Sequence, residues 1–164
     1  MFAKLIKQAN PQPAHPEPIF LDFLNVEVAT ASYLRESVFA FRDFVRGKRS
    51  MLYPVIANAN EVIREELLML ATSGDAIMSC TLSPEGKVSD PALIGTLDPK
   101  QKLAFDLVNQ RGETDASELM RDFGEGLRRA TGWNNRLASL AALGVVIEVS
   151  QGRSKRYRPV FAEA

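Results

Sequence analysis

The chain has 164 residues, 46% of them hydrophobic, which suits one globular domain or two small ones. No apolar run approaches the roughly 20 residues needed to cross a membrane, and the N-terminus lacks the apolar core of a signal peptide. The single cysteine, Cys80, excludes an intrachain disulfide. These features predict a cytoplasmic protein that makes no membrane contact.

The formal net charge is zero, but the basic residues are unevenly placed. Residues 126–158 contain seven basic residues against one acid, Glu148. Such a local excess of positive charge is typical of a surface that neutralises phosphates, and a solvated basic face gives the same pattern. The seven are Arg128, Arg129, Arg136, Arg153, Lys155, Arg156 and Arg158.

The first part of the chain alternates apolar runs with amphipathic stretches. Residues 2–6 predict an edge strand, and the runs at 19–23, 53–57 and 76–82 predict three further strands. Alternating strands and helices favour a small parallel α/β sheet. Residues 89–97 are then interpreted as a linker.

Two amphipathic helices are predicted between the three main strands. The first runs to about Arg46, with Thr30 and Ser32 as candidate N-caps. Its apolar stripe leaves Arg42 among the polar residues on the opposite side. The second begins after Asn60, which is also a suitable N-cap.

The last third of the chain predicts three helices and a hairpin. Asp98-Pro99 begins one helix, and Asp115 and Glu118 have capping-box spacing at the start of the next. Thr131 is a candidate cap for the third helix, and Gly144 is placed to end it. A β-branched run, a turn at 150–152 and a second short run predict the hairpin. The buried stripe of the third helix is predicted to be Trp133, Leu137, Leu140 and Ala141.

A helix followed by a hairpin with a basic tip resembles the recognition helix and wing of a winged helix-turn-helix domain. The resemblance implies that double-stranded DNA is the partner, and it leaves a homodimer open. Helix residues would read base edges in the major groove, and hairpin residues would contact phosphates or the minor groove. The implied DNA-binding residues are Asn134, Asn135, Arg136 and Ser139 on the helix, and Arg153, Lys155, Arg156 and Arg158 on the hairpin.

A second resemblance lies in residues 21–34, LDFLNVEVATASYL, which precede an amphipathic helix. This stretch resembles a STAS-like domain of the anti-sigma-factor-antagonist type, and the likeness covers about residues 19–82. In that family a serine at the helix N-terminus is phosphorylated by a partner kinase. The matching position here is Ser32, although a structural N-cap explains the same residue. Thr30 and Tyr33 depart from the family's usual Asp and Gly.

We therefore expect an α/β plus α+β protein with two domains. The first, residues 1–95, would be the STAS-like parallel α/β domain, and the second, residues 96–164, the winged helix with three helices and a two-stranded wing. The leading hypothesis is a DNA-binding protein of transcription regulation whose first domain is an interaction or sensing module. The alternative is an adaptor for a kinase-like ATPase, in which the winged helix makes protein contacts.

Catalysis is not expected. The sequence has no Gly-rich phosphate loop, no Ser/His/Asp set and no cluster of metal ligands, so we predict no cofactor and no metal. Asp22, Asn58 and Asn60 would lie near the carboxyl ends of neighbouring predicted strands, where α/β sheets bind ligands. A small-ligand sensor is thus a third, weaker hypothesis, since helix capping and loop packing explain the two asparagines more simply.

Overall fold

A computed structural model describes residues 2–9, 11–124 and 130–161, without the side chains of Phe2, Ala130 and Thr131. The fold is mixed α/β, with a four-stranded, mostly parallel sheet and a two-stranded antiparallel sheet. The strands are β1 (Glu17–Asp22), β2 (Leu52–Ala57), β3 (Ala76–Leu82), β4 (Val88–Gly95), β5 (Val146–Gln151) and β6 (Ser154–Pro159). The helices are α1 (Phe2–Ala9), α2 (Ala31–Leu34), α3 (Phe41–Gly47), α4 (Glu61–Leu70), α5 (Pro99–Arg111), α6 (Ala116–Phe123) and α7 (Ala130–Leu143). A π-helical segment, Arg35–Ala40, joins α2 to α3.

The larger sheet has the strand order β1-β2-β3-β4. The three predicted strands β1, β2 and β3 run parallel, as expected. The linker predicted at 89–97 is wrong, because β4 lies there and pairs antiparallel with β3. The register shifts between Ser79 and Thr81, and Asp90 has a positive φ of 51°. Pro91 is therefore accommodated at an irregular position of a terminal strand, which is where proline is tolerated in a sheet.

The edge strand predicted at residues 2–6 is also wrong. These residues belong to α1, which packs against α3 and the π-helical segment. Leu5 and Ala9 are four residues apart and therefore share one face of a helix. Ala9 is buried and Leu5 packs against the same cluster. The spacing of these apolar residues therefore fits a helix and not a strand. None of the helices in the described ranges has both the length and the apolar content to span a membrane.

Within the described ranges, four helices begin at side-chain caps. Thr30, Asn60, Asp98 and Asp115 each accept a hydrogen bond from the backbone N–H three residues later. This bond satisfies one of the free donors in the first helical turn. Ser32, the other candidate at α2, lies within the helix and is exposed, so Thr30 is the N-cap.

The hydrophobic core lies on both faces of the larger sheet. Leu52 and Ile56 of β2 point into a cluster with α1, the π-helical segment, α3 and α4. Tyr53, Val55 and Ala57 alternate with them and point into a second cluster. That second cluster also contains the buried side chains of α5, α6, α7, β5 and β6. The N-terminal region (residues 1–95) and the C-terminal region (residues 96–164) therefore share one buried apolar cluster.

Candidate nucleic-acid interface

Helix α7 presents one buried and one exposed face. The predicted stripe is confirmed, since all four of its side chains are at most 2% exposed. The opposite face is open to solvent and contains Asn134, Asn135, Ala138 and Ala142.

The C-terminus of α7 is closed by Gly144 and by two arginines of α3. Gly144, at a φ of 82°, donates to the Ala141 carbonyl, and the next amide donates to the Leu140 carbonyl, as in a Schellman motif. Arg42 Nη1 donates to the Leu143 oxygen at 3.3 Å, and Arg46 Nε donates to the Ala141 oxygen at 3.0 Å. Positive charge at this position also complements the helix dipole.

The sequence pattern predicts the wrong environment for Arg42. It is expected on the polar side of its helix, yet its side chain is 2% exposed. It donates to the Ala76 oxygen at 2.9 Å and forms an ion pair with Asp75 at 2.8 Å. Helical periodicity within α3 carries no information about α7, so the sequence offered no signal for this contact.

The predicted base-reading residues of α7 differ in whether their side chains already contact other residues of the chain. Asn134 and Asn135 are exposed. The Arg136 guanidinium lies over the Trp133 ring, 4.9 Å from its centroid. Ser139 Oγ accepts a hydrogen bond of 2.7 Å from Gln101 Nε2, so this hydroxyl is engaged by α5.

The β5–β6 hairpin forms where predicted and turns at Gly152-Arg153. Gly152 has a φ of 62°, in the left-handed region that glycine adopts without strain. Arg153 is exposed at the tip. Lys155 forms an ion pair with Glu148 at 2.9 Å.

Arg156 is surrounded by carboxylates. Its guanidinium contacts Glu113 at 2.9 Å, Asp115 at 2.9 Å and Glu118 at 3.1 Å. The hydrogen bond with Glu118 is the main reason that the pKa of Arg156 is raised, and it lowers the pKa of Glu118 in turn. Glu118 also accepts a bond from Thr114 Oγ1. The charge of Arg156 is thus largely neutralised within the protein.

Arg158 is engaged as well, because its Nη2 donates to the Pro16 oxygen at 3.0 Å. Among the described residues, Arg153 is the one basic side chain of the hairpin without a partner. The positive surface is therefore smaller than the residue count suggests. Two further predicted basic residues, Arg128 and Arg129, lie outside the described part of the chain. The side chain of Thr131, the predicted cap, lies outside it as well.

A second exposed surface lies at the carboxyl ends of β1 and β2. We call it the loop-end patch and define it by Leu24, Val28, Tyr33 and Val62, which are 59%, 74%, 38% and 51% exposed. The loop between β1 and α2 is held in place by Asn60, whose Nδ2 lies 3.2 Å from the Val26 oxygen and 2.9 Å from the Glu27 oxygen.

The polar residues near this edge are used structurally. Asn58, at a φ of 57°, donates to the Asp22 carboxylate and to the Leu82 oxygen, and accepts from the Leu82 amide. Asp22 also accepts from the Leu24 amide. Asn60 caps α4. Over the described ranges, no group of three or more His, Cys, Asp or Glu side chains could hold a metal ion.

Comparison with known proteins gave no match to a family model, to a curated protein or to a solved structure.

Proposed function

We propose that the C-terminal region is a winged helix that binds double-stranded DNA and that the chain acts as a regulatory protein. The element order supports this proposal. An isolated bridge between Thr114 and Tyr157 follows α5, then come α6 and α7, and then the β5–β6 hairpin. Helix, bridging strand, two helices and hairpin is the order of a winged helix, and its third helix would enter the major groove.

The observation that carries the proposal is the open polar face at the start of α7. Asn134 and Asn135 are exposed there on a helix whose other side is buried. Asparagine suits adenine, and Arg136 beside them suits guanine. Arg153 at the hairpin tip is the cation free to reach a phosphate or the minor groove. Lys155, Arg156, Arg158 and Ser139 have partners within the chain and would contribute less.

The proposal is tested by DNA affinity as a function of salt. We expect labelled random-sequence duplexes to bind at low salt, with Arg153→Gln lowering the log–log salt slope by about one. Arg35→Gln removes an exposed arginine of the N-terminal region and should leave the slope unchanged. The proposal would be contradicted if the protein retards no genomic duplex at low salt.

The loop-end patch favours a second candidate function, an adaptor of the STAS-like antagonist type. Exposed apolar side chains on a loop that is held by hydrogen bonds, and on the two helices beside it, form a preorganised contact surface. Ser32 is exposed in the first turn of α2, between Thr30 and Tyr33. A phosphate there would place negative charge beside the apolar surface and weaken a docked partner.

Affinity purification of the tagged chain separates the two functions. The adaptor hypothesis predicts a kinase-like ATPase, identified by mass spectrometry, as the protein partner. Val28→Asp and Ser32→Asp should reduce its recovery at least several-fold. Met69→Asp alters another exposed apolar side chain, 83% exposed on α4, and should not reduce it. Recovery of DNA without a protein partner, or equal loss in all three variants, would reject the adaptor function.

A further inference from the structure

A cleft of about 570 Å³ lies between the N-terminal and C-terminal regions. Its walls come from residues 14–16, from the end of α3 and the start of β2, and from α7 and the β5–β6 hairpin. This volume falls in the range of small-molecule sites, which often lie between structural units. The cleft is separate from the loop-end patch and shares no lining residue with it.

Arg46 lines the cleft from the N-terminal side and is 9% exposed. Its Nε donates to the Ala141 oxygen and its Nη1 to the Ser50 and Leu52 oxygens, and Tyr53 is a further, side-chain hydrogen-bond partner. None of the bonds to backbone oxygens uses Nη2. The guanidinium also lies 3.7 Å from the centroid of the Tyr53 ring.

The charge of Arg46 is poorly compensated. Burial lowers the pKa of this guanidinium, and the nearby Tyr53 and Glu148 offset the effect only in part, although an arginine remains protonated under any physiological condition. Carbonyl dipoles and a ring face stabilise the cation without neutralising it, and a buried charge without a directly bonded counter-ion is unfavourable. An anion placed against Nη2 would supply the missing counter-charge.

The rim adds further positive charge and an apolar side. Arg49, exposed and at a φ of 51°, lines the same cleft. Lys155 lies on the opposite wall, paired with the cleft's acid, Glu148. The small exposed side chains of Ala138 and Ala142 leave room beside α7 for an apolar group.

We propose that this cleft binds a small organic anion, whose acidic group lies between Arg46 and Arg49 and whose apolar body lies against Ala138 and Ala142. Charge-assisted hydrogen bonds to guanidinium groups would fix the acidic group. The site stands whether or not the chain binds DNA. If the chain binds DNA, the ligand would contact α7, the helix that reads DNA, and ligand binding would be coupled to DNA binding.

The test is an NMR titration of the full ¹⁵N-labelled chain at constant ionic strength, with phenyl phosphate as the probe. We expect saturable shifts at the amides of Ala138, Ala142 and Ser150. Phenol, which lacks the charge, should not produce them, and inorganic phosphate should bind more weakly than phenyl phosphate.

Variants separate this site from the DNA-binding proposal. Arg49→Gln should weaken the binding of phenyl phosphate about three- to tenfold, as expected for the loss of one partly exposed charge-assisted contact. Lys155→Gln, a second exposed position, should also weaken it. Arg153→Gln should leave phenyl phosphate binding unchanged while it weakens DNA binding.

Three outcomes would overturn the proposed site. One is the absence of saturable shifts with phenyl phosphate, and another is equal shifts with phenol. The third is perturbation of the same amides by a DNA duplex but not by phenyl phosphate, which would make the cleft part of a nucleic-acid surface.

Discussion

Arg156 shows how far the role of a single charge depends on its neighbours. In the sequence it belongs to a basic cluster, and in the structure it forms ion pairs with Glu113, Asp115 and Glu118. Two of these acids lie at the start of α6, so Arg156 connects the hairpin to that helix. A side chain held in this way stabilises the C-terminal region and is unfavourable to recruit for phosphate binding.

This role predicts acid-dependent stability. Arg156→Gln should lower the free energy of unfolding by about 1–2 kcal/mol at pH 7, a range expected for a charge network that is partly solvent-screened. The folded-state pKa of Glu118 is lowered. Its stabilisation is therefore present above the unfolded glutamate pKa of about 4.3 and is lost as pH falls through the lower folded-state pKa.

Urea unfolding at pH 7, 5 and 3 measures this effect. The difference between the parent chain and Arg156→Gln should be smaller at pH 3 than at pH 7. Arg153→Gln, at the exposed hairpin tip, is the matched control and should not change stability at any of these values. A difference of the same size at pH 3 and pH 7 would show that Arg156 acts through packing alone.

At the scale of elements, α3 contacts two different parts of the molecule. Phe41 and Val45 pack into the apolar cluster with α1 and α4, and Arg42 and Arg46 reach the end of α7. The π-helical segment before α3 buries Ser37, Val38 and Phe39 in succession. Leu34, Val38, Phe41 and Val45, at α-helical spacing, are nevertheless all buried, so one apolar stripe continues from α2 through this segment into α3.

Helix α7 is consequently held on several sides. Its buried stripe packs in the shared cluster, Gly144 ends it, and Arg42 and Arg46 bond its last carbonyls. A helix fixed in this way presents its exposed residues in a defined orientation, which a base-reading helix requires. The same fixation suits a protein contact, so the orientation of α7 supports both proposed functions.

At the scale of the whole molecule, Arg42 links the two regions. It bonds the Ala76 oxygen, the Asp75 carboxylate and the Leu143 oxygen, so that three segments meet at one guanidinium. Arg42→Met should lower the free energy of unfolding by about 2–4 kcal/mol, because Asp75 and the carbonyls lose a buried partner. Asp43→Asn is the control, because it removes an ion pair with the same arginine at a carboxylate that is 68% exposed. It should lower the free energy of unfolding by about 0–1 kcal/mol.

Denaturant unfolding followed by Trp133 fluorescence and by far-UV circular dichroism tests the linkage. Trp133 is the chain's one tryptophan and reports on the C-terminal region. The two signals should change together in the parent chain, as in a two-state transition. Equal effects of Arg42→Met and Asp43→Asn would show that the buried contacts of Arg42 do not stabilise the fold.

Much of the local structure can be predicted from the sequence because its causes are local. Asp98, Asp115 and Asn60 can cap a helix only through backbone groups within a few residues, and they do so here. Gly144 ends α7 for a similar reason. Residues 2–6 and 89–97 were predicted wrongly, because a short apolar stretch and a Ser-Asp-Pro stretch are each compatible with more than one structure.

The sequence alone determined the caps, the positions of the three strands, the apolar stripe of α7 and the hairpin, because each follows from a pattern of residues close together in the chain. Tertiary structure alone decided which charges remain free. It paired Arg156 with three acids, placed Arg42 and Arg46 in the interior, and left Arg153 exposed at the tip. Ion pairing depends on distances between segments far apart in sequence, and a count of basic residues contains no such distances.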